Sequence, residues 1–549
     1  MKIAILPRIK AALKIALIYK IEIIFSFIFA VILSLGSLLS SNPVLDLTPI
    51  NTPTTIAYVS GGLAIWCVLF LVLVFIKRWS FRKLISPRTI YFRSISDNKL
   101  WLLTSLAIFV CYLPILLTAS SMLSPDSWNT IRQMVGKAPL NNANPLIFTA
   151  FAGIFINLGR VISDIELGTI FFSFAQSALL ALIFGKVIVW MRKEKVGKVG
   201  IIATFFFYAV LPVNSMAGLI MWKDILFGGF GLLFLLALRQ LYTEKDAFFS
   251  VKKISYFITL AFLFCTWRNN GLYAYVLFIV LALVVNRKLF IAKKYLFLLL
   301  SPIVITFIYL TAITPLITPA SSQAATLVIP SQQIARTVKY ESNSISSQDK
   351  KTIDAIFPYS KLGAEYNPRL SDPVMGSFND NVFQKNEGKY LSIWFKLLRG
   401  HKKTFVAAFL YNNYGYAYPF YASSSPTDIL LNNANHPNVI KGYTDTAYVN
   451  GGKFATIAYR DLIMQQVPFL QNVGFYTCII LLAAYIAIIR KRQELMGVFI
   501  ILSGLFISTI LGPVNSEFRY LYLFVVATPF IITSVFSSVS QEKGKKRRV

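Results

Sequence analysis

The chain reads as an all-α polytopic membrane protein with about twelve transmembrane helices and one polar extracytoplasmic domain. Three observations predict this. Of its 549 residues, 56% are hydrophobic and only 14% are charged, too little polar surface to cover a soluble core of that size. Apolar runs recur along the chain at lengths near the roughly 20 residues that cross a bilayer as a helix. Lys and Arg collect in alternate short segments between those runs, which is how a membrane protein sets its orientation.

The runs fall at 21–39, 56–76, 100–118, 166–190, 200–220, 225–241, 254–267, 271–286, 295–313, 471–489, 495–512 and 519–538. The first follows a segment with five Lys and Arg and lacks a small-residue cleavage pattern, so it reads as a span and not as a cleaved leader. Arg268-Asn269-Asn270-Gly271 interrupts the pair 254–267 and 271–286, leaving either one long bent helix or a re-entrant pair. Segments 1–20, 77–99, 191–199, 242–253, 287–294, 490–494 and 541–549 hold 31 of the 54 Lys and Arg residues, whereas 314–470 has fifteen basic against ten acidic. Both termini are therefore expected in the cytoplasm, with 314–470 outside. The domains follow. Residues 1–99 hold a basic segment and two spans, and 100–313 a transmembrane core with its first outer loop at 119–165. Residues 314–470 form the extracytoplasmic domain, 471–540 the last spans and 541–549 a basic tail held against anionic lipid.

Several classes are excluded. A net charge of +31 would suit nucleic acid only if it were clustered on a polar domain. The four cysteines lie in or beside apolar runs, so no disulfide framework is legible. Two histidines cannot build a His-rich metal cage. Internal repeats, a P-loop, a dinucleotide fingerprint and a metal-ligand motif are all absent from the sequence.

With the orientation fixed by charge, four polar clusters reach one outer face. They are Ser124-Pro125-Asp126-Ser127-Trp128, opening a loop that runs to Asn144-Pro145; Trp222-Lys223-Asp224; Trp267-Arg268-Asn269-Asn270-Gly271; and Ser516-Glu517-Phe518-Arg519-Tyr520. Ionisable groups so close to apolar helices are expensive and tend to be functional or paired. Lys223, Arg268 and Arg519 suit phosphate oxygens, while Trp128, Trp222, Trp267 and Tyr520 suit a sugar or a lipid chain. An ionised Asp126 suits proton abstraction from a hydroxyl nucleophile. Blander alternatives stay open. The charge pairs could be neutralising turns, Arg268 could snorkel to headgroups, the aromatic residues could form an interfacial belt, and Ser124 and Asp126 could cap a helix. Gln332, Gln333, Arg336 and Lys339 share a helical spacing that fits either a reach toward the site or a solvated face.

These residues carry a resemblance. Ser124-Pro125-Asp126-Ser127, Trp222-Lys223-Asp224, Arg268-Asn269-Asn270-Gly271, Gln332-Gln333-Ile334-Ala335-Arg336 and Phe518-Arg519-Tyr520 resemble, in order and sidedness from about residue 100 to 525, an uncharacterised bacterial branch of the GT-C superfamily of membrane glycosyltransferases. The resemblance implies a GT-C-like core and a sugar donor on a polyprenyl phosphate. It implies a glycan, cell-wall polymer, lipid or protein acceptor approaching from outside, with membrane lipids as surroundings and no nucleic acid. Asp126 would be the catalytic acid/base. Lys223, Asp224, Arg268, Asn269, Asn270, Gln333, Arg336, Glu517, Arg519 and Tyr520 would bind substrate. The chain departs from the pattern in three places. Asp126 has no adjacent carboxylate, so no paired-acid motif supports a divalent metal; Asn144 stands before Pro145 where related sequences often have His; and the two spans before residue 99 are additions to the usual core. The competing readings are a transporter or flippase for lipid-linked saccharides, and a polysaccharide polymerase or ligase.

Overall fold

The computed structural model describes residues 18–42, 52–78, 95–119, 123–141, 144–318, 327–421, 468–512 and 516–537. The basic tail lies outside the described residues. Helices carry nearly all of what is described, and nine are long and apolar enough to cross a membrane: Lys20–Ser41, Val59–Arg78, Asp97–Leu117, Ile165–Lys193, Lys198–Leu219, Lys223–Phe248, Lys293–Ile317, Gln493–Ile510 and Phe518–Phe536. Asn269–Val285 and Val473–Ile489 are shorter apolar helices. The chain is an all-α membrane protein.

The central helices are α9 (Lys223–Glu244) and α21 (Tyr522–Phe536), whose apolar stretches are the most enclosed, whereas the stretch in α2 (Thr52–Arg78) is the least. On α9 packs α10 (Val251–Thr266), through a stack of Phe227 on Phe264 with ring centroids 5.0 Å apart and of Phe234 on Phe264 at 5.3 Å, and α11 (Asn269–Val285) meets it with the Tyr275 ring 5.7 Å from that of Phe234. Two helices packed against each other stand where the sequence allowed one bent helix or a re-entrant pair. Gly271 makes the tight reversal, since a Cβ there would strike the Phe264 backbone. The start of the chain is sewn on at a distance. Tyr485 of α19 (Val473–Ile489) donates to the Leu73 carbonyl at 2.8 Å and to the buried Glu22 of α1 (Lys20–Ser41) at 3.2 Å, and Lys77 lies 3.0 Å from the same carboxylate.

The loop expected at 119–165 is more ordered than its sequence suggested. It contains α4 (Pro125–Met134) and α5 (Leu146–Ile162), the latter an apolar helix lying against α6 (Ile165–Lys193). The packing is backbone on backbone: a Cβ at Gly168 would come within 2.7 Å of the Ile156 Cα.

A second core forms in the polar domain, around Ile334, Val338, Ile353, Phe357, Phe383 and Tyr390. Its first helix, α13 (Val328–Glu341), buries Gln332, Gln333 and Arg336 along with Ile334 and Ala335. For these polar residues a solvated face is thereby corrected, because α13 lies beneath α15 (Tyr359–Glu365) and α18 (Lys402–Asn413), whereas Lys339, at the same spacing, is exposed. Ser516 then ties this domain to the bundle by donating to the Asn412 carbonyl at 2.9 Å.

Candidate functional site

The short turn before α9 is built first. It leaves α8 (Pro212–Leu219), whose terminal carbonyls have no partner within the helix. Gln176 of α6 meets them: its amide lies 3.1 Å from the Ala217 and Gly218 oxygens and 2.8 Å from that of Ile220, and Ser173 donates to Leu219 at 3.0 Å. A fully buried glutamine and serine thus hold residues 217–220 in place.

On that turn sits α4, which carries Asp126. Ser124 and Ser127 cap it reciprocally, the Ser124 hydroxyl accepting from the Ser127 amide at 3.3 Å and the Ser127 hydroxyl from the Ser124 amide at 3.0 Å. The same hydroxyls dock the helix. Ser127 donates to the Met221 carbonyl at 3.0 Å, and the Trp222 indole donates to Ser124 at 2.7 Å. Of the two residues proposed as caps, Ser124 performs that role. Asp126 does not, and its side chain is left to face the mouth of the bundle.

There it meets Arg519, from the turn that leads into α21. The Arg519 Nη1 donates to Asp126 Oδ2 at 2.6 Å, its Nε reaches Glu517, and the guanidinium lies 4.8 Å over the Trp222 ring and 5.0 Å over that of Tyr520. Arg268 lies 4.4 Å over the same Tyr520 ring, donates to the Tyr520 carbonyl at 3.3 Å, and pairs with Asp224. Lys223 donates to Asn144 at 2.8 Å and interacts electrostatically with Asp126, Asp224, Arg268 and Arg519. Seven residues named from the sequence therefore form one cluster: Asp126, Lys223, Asp224, Arg268, Glu517, Arg519 and Tyr520.

Exposure separates their roles. The Asp224 side chain is 1% exposed and its Arg268 partner 10%, a buried pair whose disruption leaves an uncompensated charge at a cost of about 3–5 kcal/mol. The Asp126 side chain is 46% exposed and so reachable by a ligand. Burial of its surroundings would raise its carboxyl, but Arg519, Lys223 and Arg268 outweigh that and hold it below its ordinary value.

The remaining sequence candidates lie elsewhere. Asn270 shares a hydrogen bond with Ser508 at 3.4 Å, and Asn269 is exposed at the start of α11. Gln333 accepts from Trp394 at 2.8 Å and donates to the Phe405 carbonyl at 3.3 Å, while Arg336 donates to Tyr366 at 3.0 Å inside the polar domain. Three further residues stand at the mouth: Tyr416 and Asp372 carried no functional signal in the sequence, and Asn144 only its place before Pro145 where related sequences often have His. Asn144 bridges Lys223 to α4. Tyr416, fully buried, interacts with Tyr520, Glu517, Arg268 and Arg519. Asp372, exposed on the polar domain, has its carboxyl raised, first by the protein mass around it and then by Glu517 and Asp126, with Arg519 pulling the other way. Among the described residues, no group of three or more His, Cys, Asp or Glu is placed to hold a metal ion.

A family profile matches residues 135–549, most of the chain. The chain belongs to DUF6020, a family of unknown function. The DUF6020 match takes in Asn144, the Lys223 turn, Arg268, Asp372 and Arg519, while α1 to α4, and Asp126 with them, precede it. No curated protein and no solved structure matches the chain.

Proposed function

We propose that the protein is a membrane glycosyltransferase that moves a sugar from a polyprenyl-phosphate carrier to an extracytoplasmic acceptor: a glycan, cell-wall polymer, lipid or protein. In this reading both termini lie in the cytoplasm of a bacterial plasma membrane, and the mouth with its polar domain faces outward, as the Lys and Arg distribution favours.

One observation carries the proposal: Asp126 is an accessible carboxylate kept ionised by an arginine that also borders two aromatic rings. In the transfer, the acceptor hydroxyl gives its proton to Asp126 as its oxygen bonds to the anomeric carbon. The bond from that carbon to the phosphate oxygen breaks, and the phosphate leaves with the electron pair. Lys223, Arg268 and Arg519 stabilise the charge it gains. The Trp222 and Tyr520 faces suit the sugar. Arg268 and Arg519 already meet carboxylates, so the phosphate binds in competition with them, and Glu517 regulates access to Arg519.

Surface glycans of a strain lacking the gene, compared with those of the intact strain, test the class of activity. Loss of one sugar substituent supports transfer. Loss of the entire polymer points instead to polymerisation or export, and an unchanged glycan profile contradicts all three.

A further inference from the structure

The Asn144 side chain links the Lys223 ammonium to the helix that carries the carboxylate. It is 3% exposed. A lysine ammonium has only donors, so the atom that Lys223 approaches at 2.8 Å is the Asn144 carbonyl oxygen. The amide nitrogen is then turned to Thr130 Oγ1 at 2.8 Å and toward the Asp126 carbonyl at 3.4 Å. Both contacts lie on the first turns of α4. The backbone supports the orientation, because Pro145 restricts the residue before it to extended conformations and opens α5 directly behind. Asn144 thus holds the Lys223 ammonium directly, and reaches Asp126 only through the backbone and the Thr130 hydroxyl of its helix.

We propose that Asn144 is a positioning residue that locks the Lys223 ammonium and the Asp126-bearing turn into one register, so that the group receiving the phosphate and the group taking the proton move together. This rests on the lipid-phosphate reading above. It predicts a division of kinetic effects that a merely bracing asparagine would not produce.

The test uses the full-length protein in lipid nanodiscs with a polyprenyl-phosphate hexose as donor. Lys223→Met raises the donor KM roughly tenfold, and Thr130→Val, which removes the hydroxyl Asn144 grips, lowers kcat with little change in KM. Asn144→Ala does both, and adding Lys223→Met to it costs less than about threefold more, because coupled neighbours are non-additive. Multiplying effects overturn the proposal. A second cycle on the same variants, read as melting temperature without substrate, needs no activity; additive shifts there also overturn it. If Asn144→Ala fails to accumulate, Thr130→Val and Lys223→Met are combined with Asn144 intact: non-additivity supports the link and additivity overturns it. If melting couples but the wild-type protein transfers no sugar from any polyprenyl-phosphate donor, the lipid-phosphate reading falls and takes the positioning role with it, leaving only a structural contact.

Discussion

Arg519 sets the electrostatic state of the mouth, because one guanidinium meets Asp126 and Glu517 at once. Asp126 is held below its ordinary value, so the stability its ionised form adds is complete above the unfolded-chain value of about 3.9. It is lost only as pH falls through the lower folded value. Arg519→Gln removes the strongest force holding it down, and the acid limb of transfer activity is expected to move to higher pH. A limb unchanged from wild type would show that Arg519 does not govern Asp126. Glu517→Gln releases one claim on Arg519, so binding of a polyprenyl phosphate, followed by tryptophan fluorescence, should tighten severalfold; weaker binding would count against competition. The cluster was legible in the sequence because charges stand out at the ends of apolar runs. Asp372 was not, since one acid among ten in a polar stretch has nothing to mark it. Gln333 and Arg336 show the converse. Their helical spacing was plain, but spacing does not tell whether a polar face meets water or a second helix.

At the scale of elements, span positions were readable because bilayer thickness fixes the length of apolar sequence a span needs. The run of α5 reads as part of a loop, although at 17 residues it is as long as α11 and α19, which read as spans. What holds it is invisible to hydropathy: glycines at 159 and 168 let two helix backbones meet. Gly168→Ala should push α5 from α6 and lower stability by about 1–3 kcal/mol, measured by melting in detergent. Gly376→Ala, where a new methyl meets nothing within 4 Å, should melt as wild type does. Equal melting of both variants would refute close packing as the reason for α5. The α4 cap has consequences beyond its own helix, since Ser124 also accepts from Trp222. The reversal at 267–271 was legible only as an interruption, because a polar break in an apolar run does not say which way the chain turns.

For the molecule as a whole, the segment preceding the family match supplies the carboxylate, and the matched part supplies every cation around it. The Tyr485, Glu22 and Lys77 contacts and the docking of α4 on the Met221-Trp222 turn make one unit of the two. Orientation is tested by single cysteines placed in a background without the four native ones. An impermeant thiol reagent added to intact cells should label position 350 and leave position 545 untouched, and the reverse pattern would invert the topology. The most direct measurement of the central claim is the glycan profile of a deletion strain carrying wild-type protein, Asp126→Asn or Asp126→Ala at equal membrane abundance. Asn keeps the size of the side chain but cannot accept the proton, a loss worth roughly 10²–10⁴ in rate. Wild type should restore the missing sugar, and both variants should fail alike. Full restoration by Asp126→Asn, with Asp126→Ala impaired, would reduce Asp126 to a structural residue and contradict its place in the chemistry.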